Sequence, residues 1–254
     1  MTGNYIKKFN ILLILNNLRL IHGLTSIRIC QNKHCVRNYP RKYDGGLIQT
    51  IQDLIPSPSS TLQEISIESS GCLSQCNQGP NISINDRVFH KVNDVSMVAA
   101  ILDVGLGIDS PGFIMAAIEN MANACKSRNS EKKIEILTGV IQSLQDSNGM
   151  DSIPHSPSNT TVMAHALILR AEARLEMVPH LDENLDLALS DALRASEINH
   201  TDGRIWRVVA DVKEAKRDIV GAILAIKQWS NCNPNFSKKA LKELERLSTI
   251  QNDS

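Results

Sequence analysis

The chain predicts a β-α-β-β-β-α unit followed by an all-helical array. Three observations carry that expectation. Short runs with alternating isoleucines mark strands in the N-terminal part, as in "TSIRIC" and "NISI". One amphipathic helical stretch separates the first two of these runs. From Phe113 onward alternation disappears and apolar residues recur at helical spacing.

In order, "TSIRIC" alternates Ile27 and Ile29 and leads into Cys30. After "DGG", Leu47, Ile51, Leu54 and Ile55 fall on one helical face, and Pro56 ends the helix. "LQEISIE" gives a second strand through Ile65 and Ile67. "NISI" gives a third, and "RVFHKV" a fourth after the turn residues Asn85-Asp86. Asn93 or Asp94 then caps a helix carrying Val95, Val98, Ala99, Ile101 and Leu102. A helix between the first two strands allows a right-handed parallel crossover, and a tight turn makes the last two an antiparallel hairpin. A small mixed sheet with helices on it is expected over 25–108. Gly105, Gly107 and Pro111 mark its end, and 109–254 is expected to be helical.

Within the helical part, "ALSDALRASEINH" and "GAILAIKQWSNCNP" align at an offset of 34 residues, pairing Ala188, Ala192 and Ala195 with Ala222, Ile226 and Trp229. Each is preceded by another helix, "HALILRAEARLEM" or "RIWRVVADVKEA". The pattern resembles tetratricopeptide repeats. Trp206, Val209, Ala210, Ala222, Ile226 and Pro234 follow the motif in order, as do Arg170, Ala171, Ala188, Asp191, Ala192 and Ala195 one unit earlier. His200 replaces the usual proline, and Lys213 stands where tyrosine is common. "FIMAAIENMANAC" and "KKIEILTGVIQSL" form a degenerate earlier pair, and "KKALKELERL" a cap. "DSNGMDSIPHSPSNT" is expected to be an exposed connection. A generic helical bundle is the alternative.

Bulk composition narrows the function classes. Lys+Arg and Asp+Glu both number 27, so no net charge draws the chain to nucleic acid or an anionic membrane. Aromatics make up only 4% of residues, too few for a base-stacking surface. No apolar run reaches the roughly 18 residues needed to span a bilayer. The first 24 residues hold Lys7, Lys8 and the apolar run Ile11–Leu15, and no acid occurs before Asp44. Such a start fits an organellar targeting segment, plastid before mitochondrion, with a packed N-terminal helix in a cytoplasmic protein as the alternative.

Four cysteines form two pairs, Cys30/Cys35 in "ICQNKHC" and Cys72/Cys76 in "GCLSQCNQGP". Neighbouring strand ends could bring such thiols into disulfides, although the chain is not cysteine-dense. Structural zinc favours Cys-x2–4-Cys, and these spacings, x4 and x3, lie on the wide side of that range, with His34 and His90 as competing ligands. A thioredoxin-type redox pair needs Cys-x-x-Cys, which neither pair has. An iron–sulfur cluster needs four converging thiolates in a loop of small or adaptable residues, and Gly71, Ser74, Asn77 and Gly79 supply those.

The arrangement Cys-x4-Cys, 36 residues, Cys-x3-Cys, then Gly79-Pro80 and strand-turn-strand-helix resembles the thioredoxin-like 2Fe–2S ferredoxins. The same fold occurs in the small iron–sulfur subunit of respiratory complex I. The resemblance covers Ser26–Val104. It implies a thioredoxin-like fold, a 2Fe–2S cluster on Cys30, Cys35, Cys72 and Cys76, and one-electron transfer. Ser74 and Asn77 stand where the family has glycine, and Val36–Gly46 is longer than usual.

These readings lead to an electron carrier rather than a stand-alone enzyme. Its redox partner protein would dock in the groove of the helical array, and a homodimer could cover the open sheet edge. Arg28, Lys33, Arg37, Arg41 and Lys42 could face an acidic partner, or simply water. A subunit of a larger oxidoreductase and a non-redox scaffold with a structural metal are the rivals. Cys125 and Cys232 read as small core residues, and no catalytic triplet or phosphate-binding loop occurs.

Overall fold

A computed structural model of the chain describes residues 25–33, 35, 46–55, 65–73, 76–150, 157–177, 179, 181–232 and 237–252. The expected targeting segment, His34, Ser74, Arg37, Arg41, Lys42 and Pro234 lie outside the described residues.

The described chain is mostly helical, with a small mixed sheet near the N-terminus. Its elements run β1 (Thr25–Cys30), α1 (Gly46–Leu54), β2 (Ile65–Ser70), β3 (Ile82–Ile84), β4 (Arg87–Phe89) and α2 (Val95–Leu106). Then come α3 (Gly112–Lys126), α4 (Ser130–Met150), α5 (Pro157–Leu175), α6 (Asp182–Ile198), α7 (Gly203–Ala215), α8 (Ile219–Cys232) and α9 (Ser237–Asn252). The order β-α-β-β-β-α is the one the alternation of apolar residues implies. By packing, β1–β4 form one compact unit and α1–α9 another.

In the sheet unit the strand order is β2-β1-β3-β4. β1 and β2 are parallel, with Ile27 beside Ile67. β3 is antiparallel to both β1 and β4, with Ile27 opposite Ile84 and Ile82 opposite Phe89. Asn85 and Asp86 have φ of 46° and 69°, so the hairpin turns through two left-handed residues, as its tight connection requires. Side chains alternate across a strand, so the register sorts the two faces. Ile27, Ile29, Ile82 and Ile84 share one face and are buried. Ser26, Arg28, Cys30, Ser66, Glu68, Ser70 and Ser83 share the other. Arg28 there reaches Asp86 at 2.5 Å.

In the helical unit each helix from α3 to α9 packs on the next. The first helices of successive pairs, α3, α5 and α7, also pack on one another. Helix starts follow capping chemistry: Asn129, Asp202 and Asp218 side chains accept from the N–H groups of Lys132, Arg204 and Gly221, each at 2.9 Å. Ala188, Ala192, Ala195 and Ala222 are fully buried, so their methyl groups set close helix approach. Gly203 does the same at the start of α7, where an added Cβ would lie 2.9 Å from Trp229 Cδ1.

The connection expected at "DSNGMDSIPHSPSNT" is shorter than its composition suggests. α4 continues through Asn148 and Gly149 to Met150, and α5 opens at Pro157. Proline suits the first helical position because its missing N–H has no intrahelical partner there. The fourth strand ends at Phe89 rather than continuing through "HKV", because Lys91 turns into the left-handed region at φ 58°.

Candidate metal centre

The cysteine segments meet at one end of the sheet. Cys30 closes β1, with its N–H donating to the Asn81 carbonyl at 3.2 Å, and the next N–H, of Gln31, donates to the Ser70 carbonyl at 2.9 Å. Ser70 and Asn81 are the two ends of the loop that carries Cys72 and Cys76. Strand pairing therefore holds both stems of that loop on either side of Cys30. The loop's far side is pinned by Lys91 N–H to the Gln78 carbonyl at 2.8 Å and Val92 N–H to the Pro80 carbonyl at 3.0 Å.

Cys35 is brought to the same place by close packing. A Cβ at Gly79 would lie 2.5 Å from Cys35 Sγ and 2.9 Å from its Cα, so only glycine lets the two backbones approach this far. Cys30 and Cys35 are buried, at 3% and 1% exposure, whereas Cys72 is exposed. Cys76 opens a short 3-10 turn, Cys76–Gln78, and Asn77 stands exposed in it. The Cys76 side chain lies outside the described residues.

The donor set is chemically right for iron–sulfur ligation: four cysteines and an adaptable glycine-flanked loop. Among the described residues no three His, Cys, Asp or Glu side chains converge as ligands for one ion. A binuclear cluster asks for something different, two thiols at each of two irons. The backbone brings the two cysteine segments to one end of the sheet, with Cys30 between the loop stems and Cys35 against Gly79.

His90, a candidate competing ligand, has another partner. Its Nδ1 lies 3.1 Å from Asn81 Oδ1. An amide oxygen only accepts, so Nδ1 carries the hydrogen and donates. Cys125 and Cys232 are half-buried, and Cys232 Sγ donates to the His200 carbonyl at 3.4 Å. Neither is the fully enclosed core residue that the helical pattern suggested.

The helical unit contains two buried charge networks that sequence reasoning missed. In the first, Asp53 of α1 is fully buried, and Gln49 Nε2 donates to its Oδ1 at 3.0 Å. His165 of α5 meets its Oδ2 through Nδ1 at 3.0 Å, while His165 Nε2 lies 3.0 Å from Arg204 Nη1 of α7. A guanidinium only donates, so Nε2 accepts and the Nδ1 hydrogen points at Asp53. Arg204 also donates to Glu172 at 2.7 Å. A buried Asp–His pair invites a catalytic reading, but here the nitrogen that would take a proton already holds Arg204. The arrangement is a latch of α1 on α5 and α7.

In the second network Asp191 of α6 accepts from Arg170 Nε at 2.8 Å and Nη2 at 2.7 Å, and also from Arg174. Arg174 donates further to the Leu187 carbonyl at 3.1 Å. Burial holds the Arg174 guanidinium below its ordinary pKa, Asp191 opposes that, and the neighbouring Arg170 adds to it. Arg170 and Asp191 were visible as motif positions, but their pairing was not. For Asp53 the readable signal was the one charged residue of the helix, set beside Leu54 and two positions from Ile51.

The latch also changes the expected partner groove. α1 packs on α3 and α5, so the chain's own helix covers part of the row of first helices. A cavity of about 320 Å³ lies there, lined by Gln49, Gln52, Thr161, His165, Thr201 and Asp202 among others. No helix among the described residues is long and apolar enough to cross a membrane.

No family model, curated protein or solved structure matches this chain.

Proposed function

We propose that the chain is a one-electron carrier with a thioredoxin-like ferredoxin unit and a tetratricopeptide-like docking array. Cys30, Cys35, Cys72 and Cys76 would hold a 2Fe–2S cluster at the end of the sheet. The observation that carries this reading is the meeting of the two cysteine segments, with Cys30 between the stems of the Cys72/Cys76 loop and Gly79 against Cys35. The strand order β2-β1-β3-β4, with one parallel and two antiparallel neighbours, supports the thioredoxin-like assignment. Pairwise stacking of α3–α8, with α3, α5 and α7 also in contact, supports the repeat assignment.

When bound, the cluster supplies reversible one-electron chemistry. The chain's residues would do the rest. Burial of Cys30 and Cys35 limits water on one side, and the exposed Cys72 leaves the other side open to a redox partner. The array would raise the local concentration of that partner.

Anaerobic reconstitution with iron and sulfide tests the proposal, read by absorption, EPR of the reduced protein and metal assay. About two irons and two sulfides per chain are expected. Cys72→Ser should lose most of the cluster while keeping the helical circular dichroism. A colourless wild-type protein that binds one zinc tightly and takes up no iron under these conditions would overturn the reading.

A further inference from the structure

The cavity beside the Asp53–His165–Arg204 latch lies within the helical unit, walled by α1, α5 and the turn from α6 to α7. Its volume of about 320 Å³ is room for about ten waters, enough for a small ligand. Apart from Ala164, every lining side chain is polar. Recognition there runs through hydrogen bonds and charge rather than apolar burial.

Bonds already made inside the wall leave a particular set of atoms facing a ligand. Both ring nitrogens of His165 are taken, by Asp53 and Arg204. Gln49 Nε2 donates to Asp53, which leaves its Oε1 as an acceptor. At the turn, Asn199 Oδ1 accepts from the Thr201 N–H at 3.3 Å and hydroxyl at 2.9 Å. Asp202 Oδ1 accepts from the Arg204 N–H at 2.9 Å, which fixes the carboxylate and leaves Oδ2. Gln52 stands exposed on α1, one turn from Gln49. Asp202 Oδ2, Gln49 Oε1 and Gln52 Oε1 are thus three acceptors in one wall.

Charge selects the ligand. Asp202 is the one formally charged side chain among the lining residues, since His165 is neutral in this hydrogen-bond pattern. Arg204 of the adjoining latch has its own counter-charge in Glu172 at 2.7 Å. The C-terminus of α6 and the N-terminus of α7 meet at the turn, so their end charges oppose each other and the carboxylate sets the sign. A primary ammonium carries one positive charge and three N–H donors, the complement of this set. We infer that the cavity binds the primary ammonium of a small amine or of a lysine side chain, with Asp202 as counter-charge and the Gln49 and Gln52 oxygens as further acceptors. The site stands apart from the cluster, and neither reading rests on the other.

Isothermal titration of the full-length chain tests this, with glucosamine as the free amine and Nα-acetyl-lysinamide as the lysine side chain. Glucose and the Nε-acetylated lysinamide are their uncharged counterparts. At least one charged probe should bind where its counterpart does not, and the tighter of the two names the source. Asp202→Asn keeps a good capping oxygen for α7 and should weaken binding about tenfold or more, as for loss of a hydrogen bond to a charged group. Gln52→Glu adds a carboxylate at an exposed position and should tighten binding about two- to fivefold. No binding by either charged probe, or equal binding by charged and uncharged forms, overturns the inference. Wild-type affinity in Asp202→Asn does so too. If that variant loses its helical circular dichroism, Gln52→Glu carries the comparison, and unchanged affinity there overturns the inference.

Discussion

The sheet unit and the helical unit bury polar groups by different means. At the cysteine end of the sheet the bonds described are mostly main chain to main chain, from Cys30, Gln31, Lys91 and Val92 to facing carbonyls. In the helical unit charged side chains from different helices satisfy each other, as in Arg170–Asp191–Arg174 and Gln49–Asp53–His165–Arg204. Main-chain bonds survive most substitutions, so the sheet end should be sensitive to added volume where backbones touch. Side-chain networks fail when one member is removed, so the array should be sensitive to single truncations.

The largest effect expected from this contrast is at Asp191. Asp191→Ala leaves Arg170 and Arg174 buried without their carboxylate, which costs about 3–5 kcal/mol when a buried pair is broken from one side. Urea unfolding followed by helical circular dichroism should show the loss. Replacing Arg170, Arg174 and Asp191 together by apolar residues of similar volume should cost much less, because no uncompensated charge remains. A triple variant as unstable as Asp191→Ala would show that the helices fail for reasons of packing rather than charge.

The corresponding test of the sheet unit adds atoms instead of removing them. Gly79→Ala places a methyl group 2.5 Å from Cys35 Sγ and 2.9 Å from its Cα. Backbone on one side and a ligand candidate on the other leave little room to give. A cost of about 1–3 kcal/mol is expected, as for overpacking in a core. Iron uptake on reconstitution should fall with it, while the helical array keeps its circular dichroism. Unchanged uptake would mean that the close approach of the two cysteine segments does not matter for loading.

The same contrast explains what could be read from the sequence. The sheet was legible because its signals are local: alternating isoleucines, the left-handed pair Asn85-Asp86 and a proline after the crossover helix. The cysteine positions were legible as a set because strand order places the ends of β1, β2 and β3 together. The helices were legible from periodicity, down to the buried alanines 188, 192 and 195. The charge networks were not, because each joins residues far apart in sequence, such as Asp53 and His165, and periodicity carries no record of which helix faces which. The place of Asn81 was hidden for a related reason. A single asparagine after Gly79-Pro80 reads as loop chemistry until the register sets it between Cys30 and His90. The packing of α1 on α5 was equally invisible, since a crossover helix between two strands carries nothing in its own residues to name its neighbours.

The smallest effect concerns a half-exposed charge in the helical unit. Asp211 of α7 is pushed up to about 6 from its ordinary 3.8, by burial first, against the pull of Arg207, and then by the nearby carboxylates of Glu214, Glu172 and Glu243. A carboxyl raised in the folded state favours folding while it stays protonated. Its contribution is fully present below about 4 and is lost as pH rises through about 6. Asp211→Asn should therefore match the wild type near the acid end of that window and exceed it in stability at neutral pH. The side chain is 51% exposed, so solvent screening leaves only about 0.5 kcal/mol or less. Glu214 has the opposite sign: Arg246 of α9 binds it through two bonds of 2.6 Å and holds its carboxyl below the usual value. Glu214 is present in both proteins, so the difference between the two stability curves isolates Asp211. A variant equally offset from the wild type at both ends of the window would show that the gain comes from packing or helix propensity, not from the carboxylates gathered along α5, α7 and α9.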